Sequence, residues 1–135
     1  MRIMAIDYGD ARTGLCVSDF TGTIPGEAWV VREYNAERLA QTIAAQARER
    51  EVSRLVLGLP KNMDGTEGPR AEKARELARL LAEADAPELV FWDERRSSIE
   101  AHAILHAVGK KEKKHRANVD AVAASVILEA YLGSL

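Results

Sequence analysis

The sequence has little of what marks a secreted, membrane-bound or zinc-stabilised protein. Cys16 is the only cysteine among 135 residues, which excludes an internal disulfide and argues against a structural zinc site. Nowhere do about 18 apolar residues run together, as a membrane-spanning helix requires. The first residues also lack an apolar run long enough for a signal peptide. We therefore expect a cytoplasmic protein in a reducing environment.

The chain also lacks an excess of positive charge. Its 19 Lys and Arg residues and 21 Asp and Glu residues give a formal net charge of −2. Any contact with nucleic acid must therefore come from local basic patches rather than from a global field. Hydrophobic residues make up 47% and charged residues 30%, which is typical of a globular domain. The length suits a single domain over residues 1–135.

The hydrophobic periodicity predicts an α/β protein. Three short apolar segments between residues 3 and 31 are separated by turn-rich stretches and predict an antiparallel meander. Helical patterns then alternate with two continuous apolar strands, and two helices close the chain. Predicted helix starts are Asn35 as an N-cap, a capping box at Ser97, and Asn118 as an N-cap. The order βββ-αβ-αβ-αα predicts a mixed five-stranded sheet flanked by helices.

Carboxylates lie at the ends of three predicted elements. Asp7 ends the first strand, Asp93 and Glu94 end the last strand, and Asp120 lies in the predicted first turn of the last helix. Each has a structural explanation alone, as a turn former or as an acid at a helix N-terminus. Clustered at one edge of a sheet, they repel one another unless a cation lies between them, and Mg²⁺ and Mn²⁺ prefer such ligands. Strand alternation leaves open whether Asp93 or Glu94 faces the cluster.

Basic and polar residues near these acids are candidate contacts for nucleic acid. The segment over residues 58–69 precedes a predicted helix and is either an ordinary connection or a phosphate cradle that includes Lys61 and Asn62. Arg95 and Arg96 adjoin the acidic strand end. A cationic segment before Asp120 is either solvated surface or a clamp on the phosphate backbone. Its basic residues are Lys110, Lys111, Lys113, Lys114 and Arg116.

Three segments, spread over almost the whole chain, resemble those of a known family. They are Ile6-Asp7-Tyr8-Gly9 with Arg12-Thr13-Gly14 and Val17-Ser18-Asp19, the loop over residues 58–69, and Asp93-Glu94-Arg95 followed by Val119-Asp120 and Ala123-Ala124. In this order they resemble the YqgF/RuvX family of Holliday-junction-resolvase-like nucleases, within the RNase H-like superfamily.

The resemblance implies an RNase H-like fold and a carboxylate site that matches Asp7, Glu94 and Asp120. It therefore favours Glu94 over Asp93 as a metal ligand. It also implies Mg²⁺ or Mn²⁺ as the cofactor and a role in maturing the small-subunit ribosomal RNA precursor. One departure concerns the residues after Asp-Glu-Arg, where the family usually has Leu-Thr-Thr and this chain has Arg96-Ser97-Ser98.

Three functions follow as hypotheses. The first is a metal-dependent nuclease that acts on precursor ribosomal RNA, and the second keeps this chemistry but cuts Holliday junctions or other branched DNA. The third is a non-catalytic module that binds nucleic acid or ribosomal particles, which the presence of all three acids disfavours. The expected partner is nucleic acid and not a membrane. The sequence leaves the oligomeric state open, with a homodimer as one possibility.

Overall fold

A computed structural model describes residues 1–96 and 116–135, with side chains from residue 119 in the second range. Its strands are β1 (Ile3–Asp7), β2 (Arg12–Ser18), β3 (Pro25–Arg32), β4 (Arg54–Leu59) and β5 (Glu88–Asp93), and its helices are α1 (Ala36–Glu49), α2 (Pro69–Glu83) and α3 (Arg116–Gly133). A short 3-10 helix, Glu94–Arg96, follows β5. The helix predicted from Ser97 and the basic residues Lys110, Lys111, Lys113 and Lys114 lie outside the described residues.

The strands form one mixed sheet in the order β3-β2-β1-β4-β5. The first three strands pair antiparallel, as the predicted meander requires. Strands β1, β4 and β5 pair parallel. The predicted five-stranded mixed sheet is therefore confirmed. Because the carboxyl ends of its parallel strands lie at one edge, residues that follow β1, β4 and β5 come together there.

Apolar residues alternate across β1 and build a core on each face of the sheet. Met4 and Ile6 face helices α1 and α2, whereas Ile3 and Ala5 face helix α3. All four are at most 2% exposed, so β1 is buried on both faces, as a central strand in an α/β sheet is. Continuing the alternation, Asp7 points to the α3 side at the carboxyl edge.

Two predicted helix starts had different outcomes. The side chain of Asn35 caps α1 by accepting a hydrogen bond from the Arg38 amide at 3.0 Å, as predicted. The predicted cap at Asn118 is wrong, because α3 already includes Arg116 and Asn118 lies within it. Arg and Ala form helices readily, so the helix extends through the end of the basic segment. Asp120 consequently lies beyond the first turn of α3, which weakens its explanation as a helix-end acid.

None of the helices in the described part of the chain is long and apolar enough to cross a membrane.

Candidate active site at the carboxyl edge of the sheet

Asp7 lies between two glycines on neighbouring strands. Gly14 of β2 is its direct register partner. On the other side, Ile6 pairs with Leu57 of β4, so Gly58 is the residue next to Asp7. Neither neighbour carries a side chain. The face of the sheet beside Asp7 is therefore open to groups from other elements.

Helix α3 occupies the space over Gly14. A Cβ atom at this glycine would lie 2.1 Å from the carbonyl oxygen of Asp120, so the helix backbone rests directly on β2. This close approach places Asp120 at the same edge as Asp7. The Nε atom of Arg12 lies 3.8 Å from Oδ2 of Asp120, and both side chains are about one-third exposed. An exposed pair at this distance contributes about 0–1 kcal/mol, so it orients Asp120 more than it stabilises the fold.

The Glu94 side chain occupies the space over Gly58. A Cβ atom there would lie 2.5 Å from Oε1 of Glu94 and 3.0 Å from Cδ1 of Ile127, a residue of α3. The carboxylate of Glu94 therefore packs over the β4 backbone on the α3 side of the sheet, the side to which Asp7 points. Glycine at this position makes room for the carboxylate.

Asp93 faces the other way and is bound by an arginine. Its carboxylate accepts hydrogen bonds from the Arg95 amide at 3.0 Å, from Nε at 3.0 Å and from Nη2 at 2.6 Å. This pairing lowers the pKa of Asp93. Of the two adjacent acids, the structure thus brings Glu94 close to Asp7 and leaves Asp93 in an ion pair on the opposite side.

The charges of Glu94 and Asp120 both act on the carboxyl group of Asp7. Burial and, after it, the charges of Glu94 and Asp120 raise the pKa of Asp7 to about 7, while Arg70 opposes them. Burial also raises the pKa of Glu94, with Arg70 opposing this and the charge of Asp93 adding to it. Burial raises the pKa of Asp120 as well, and Arg12 opposes it. The folded chain therefore pays a free-energy cost to ionise these groups, which a bound cation would relieve.

The spacing of the acids limits how an ion could be held. Within residues 1–96 and 116–135, no three His, Cys, Asp or Glu side chains lie close enough together to ligate one metal ion. Asp7 nevertheless interacts with Glu94 on one side and Asp120 on the other. The donor chemistry suits Mg²⁺ or Mn²⁺.

The loop between β4 and α2 is held by its own hydrogen bonds. The Asn62 amide donates to the carbonyl of Thr66 at 2.8 Å, and the Gly65 amide donates to the carbonyl of Asn62 at 2.9 Å. The Asn62 side chain donates to Oγ1 of Thr66 at 2.9 Å. Arg95 ties the loop to β5 by donating to the carbonyl of Met63 at 3.4 Å. These bonds occupy several of the donors that a phosphate cradle would need.

The remaining predicted contact residues are Lys61, Arg96 and Arg116. Lys61 is near enough to Asp93 to lower the pKa of that carboxyl. Arg96 stacks on the ring of Trp92, with its guanidinium carbon 4.1 Å from the ring centre. Arg116 is the first residue of α3, and its side chain lies outside the described part. Sequence periodicity could not have predicted where these three residues lie relative to Asp7.

Arg70, which no pattern in the sequence marks as functional, lies in a cleft beside the acids. The cleft has a volume of about 100 Å³, and its lining includes Tyr8, Gly58, Arg70 and Glu94. Arg70 is the second residue of α2, whose first residue is Pro69. The sequence did mark this helix start, because proline is favoured at the first position of a helix. It gave no sign that the helix begins beside Asp7 and Glu94.

The chain also matches a described protein family. A family model described as "RuvX: Holliday junction resolvase" matches residues 1–134. The chain belongs to the RuvX family. A RuvX relative from Halothermothrix orenii is 41% identical over 133 residues, which cover 98% of this chain and 94% of the relative. One from Anaeromyxobacter dehalogenans strain 2CP-1 is 47% identical, with 98% and 96% covered. Both relatives are named "Putative pre-16S rRNA nuclease".

Solved structures of resolvases share the fold of this RuvX chain. RuvC from T. thermophilus, in complex with a Holliday junction substrate, has a TM-score of 0.63 at 15% identity, covering 99% of this chain and 97% of that one. The Fowlpox virus resolvase, in complex with Holliday junction DNA, has a TM-score of 0.61 at 13% identity, with 99% and 98% covered. At such low identity the likeness concerns the fold, and it confirms the RNase H-like fold class.

Proposed function

We propose that the protein is a divalent-metal-dependent nuclease that hydrolyses phosphodiester bonds in the precursor of the small-subunit ribosomal RNA. One observation carries this proposal. Asp7 ends the central strand with Glu94 on one side and Asp120 on the other, and burial together with their charges raises its pKa to about 7. Structural acids are normally paired with cations, as Asp93 is with Arg95. Acids that are held against their mutual repulsion are typical of functional sites.

Asp7, Glu94 and Asp120 would hold Mg²⁺ or Mn²⁺. A bound ion supplies a Lewis acid for the phosphoryl oxygen and lowers the pKa of a bound water. The chain's own contribution is to fix the ligands. Gly58 makes room for Glu94 over the sheet, while the close approach of α3 to Gly14 fixes the backbone of Asp120. Strand β1, the short 3-10 helix after β5 and the packed helix α3 thus carry the three ligands, and accurate metal coordination requires such support.

The names of the relatives favour RNA as the substrate. Proteins that are 41% and 47% identical to this chain carry the pre-16S rRNA nuclease name. Branched DNA is the second candidate, because the family description reads Holliday junction resolvase. A non-catalytic binding module is the third, and the retention of all three acids argues against it. Nucleic acid is the proposed partner in each case. The cytoplasmic location, the single domain over residues 1–135 and the homodimer remain predictions.

A cleavage panel separates these candidates. Matched hairpin RNA, single-stranded DNA, duplex DNA and four-way DNA junctions are incubated with Mg²⁺ or Mn²⁺ and the wild-type protein. We expect cleavage of structured RNA, and its loss in Asp7→Asn, Glu94→Gln and Asp120→Asn. Asp85→Asn is the matched control. Asp85 is exposed and lies just before β5, at the opposite end of that strand from the site, and Asn tolerates its positive φ of 58°.

Each outcome decides between the candidates. Cleavage of the junction alone would replace the RNA substrate with branched DNA. Binding without cleavage of any substrate would leave the non-catalytic module. Cleavage that persists in Asp7→Asn would show that the chemistry resides elsewhere in the chain.

A further inference from the structure

Arg70 differs from the other basic residues of α2. The other three are engaged by carboxylates within the described residues, in the pairs Lys73–Asp10 at 3.0 Å, Arg75–Glu67 at 2.6 Å, and Arg79 with both Glu76 and Glu83. For Arg70, residues 1–96 and 119–135 provide no hydrogen bond or ion pair at bonding distance. Its side chain is exposed and lines the cleft that also contains Glu94. As far as the described residues are concerned, the donors of its guanidinium are therefore available to a ligand.

The position of Arg70 relative to the acids limits what that ligand is. Its charge lowers the pKa of both Asp7 and Glu94, so the guanidinium lies within electrostatic reach of both. A phosphate group that approaches these carboxylates is repelled by them. A cation on the cleft wall opposes that repulsion at the point where it is greatest. The planar guanidinium can also donate two parallel hydrogen bonds to phosphate oxygens.

We infer that Arg70 binds the phosphate of the nucleic-acid backbone that lies against Asp7 and Glu94. This inference rests on the proposed function, because it assigns Arg70 to the substrate side of the same site. It makes Arg70 a substrate-binding residue that precedes any step of the chemistry. The alternative role is that of a permanent counter-ion to the acids, with no contact to the substrate. The two roles differ in how substrate binding depends on salt.

The test compares Arg70→Ala with Arg79→Ala, which removes the same charge from the same helix at a site away from the cleft. Binding of a fluorescent hairpin RNA and a four-way DNA junction is measured at several salt concentrations. Ca²⁺ replaces Mg²⁺, and a gel checks that the probes stay intact. Loss of one phosphate contact should reduce the slope of log K against log salt by about 0.7–0.9. Affinity should fall about tenfold. Arg79→Ala should match the wild type in both quantities.

Arg70→Lys keeps the charge but loses the planar fork. It should retain the salt slope and bind more weakly than the wild type. Thermal melting of each variant checks the fold, which the exposed position of Arg70 should leave unchanged. If Arg70→Ala has the salt slope of Arg79→Ala, Arg70 is a counter-ion only and the inference is overturned. If the slope falls but the wild type cleaves no substrate with Mg²⁺ or Mn²⁺, the proposed nuclease function fails while the phosphate contact stands.

Discussion

Neutralising Asp7 should stabilise the metal-free protein, and the gain should depend on pH. The pKa of Asp7 is about 7 in the folded chain, compared with an ordinary value of 3.8. Between these values the folded state holds a proton that the unfolded chain has released. The contribution of Asp7 to the free energy of unfolding therefore falls as pH rises from about 4 to 7 and stays low above that range. Asp7→Asn removes the ionisable group and with it this loss.

The size of the effect follows from the separation of the two pKa values. Each pH unit between them corresponds to about 1.4 kcal/mol. Ionising Asp7 in the folded state therefore costs about 4 kcal/mol relative to the unfolded chain. Asn differs from a protonated carboxyl in its hydrogen bonding, so the variant need not recover this whole cost. We expect the free energy of unfolding of Asp7→Asn to exceed that of the wild type by about 2–4 kcal/mol at pH 8. At pH 4 the two proteins should have nearly equal free energies of unfolding.

Urea unfolding of the wild type and Asp7→Asn, in a chelator at pH 4, 6 and 8, measures this difference. Asp85→Asn serves as the control, and its difference in free energy of unfolding from the wild type should not change with pH. Mn²⁺ should then narrow the gap at pH 8, since an ion that binds the folded wild-type site stabilises it by mass action. A variant less stable than the wild type at every pH, with the same response to Mn²⁺, would refute the account. Asp7 would then be a structural turn residue.

Three further predictions concern how the site and the loop beside it are built. Gly58→Ala should displace the flexible end of Glu94, reducing cleavage about 10–100-fold with little change in the free energy of unfolding by urea. Gly14→Ala should instead cost about 1–3 kcal/mol of stability or more, because the new methyl group meets the backbone of Asp120. Equal losses of stability in the two variants would contradict this distinction. Arg95→Ala should speed hydrogen exchange in the loop between β4 and α2 but not in the sheet. Unchanged exchange there would show that the loop's own bonds suffice.

The fold was largely predictable because its signals are local. Alternating apolar residues marked the strands, and the cap at Asn35 marked the start of α1. The order of elements then left few topologies for a sheet with right-handed crossovers. The one wrong cap, at Asn118, lies where a basic segment with good helix propensity runs into a helix. Local signals cannot fix where α3 begins, since Arg and Ala are common both inside helices and in the residues before them.

The sequence alone also singled out Asp7 and Asp120, and resemblance to a family added Glu94. Only the tertiary structure decided that Glu94 packs over Gly58 while Asp93 pairs with Arg95. Both faces of β5 have partners within the protein, so alternation could not choose between the two acids. The tertiary structure alone also decided the position of Arg70, which comes close to Asp7 because α2 starts at the carboxyl edge of the sheet. Contacts between residues so far apart in the chain depend on how strands and helices pack, and no local pattern in a single sequence records that packing.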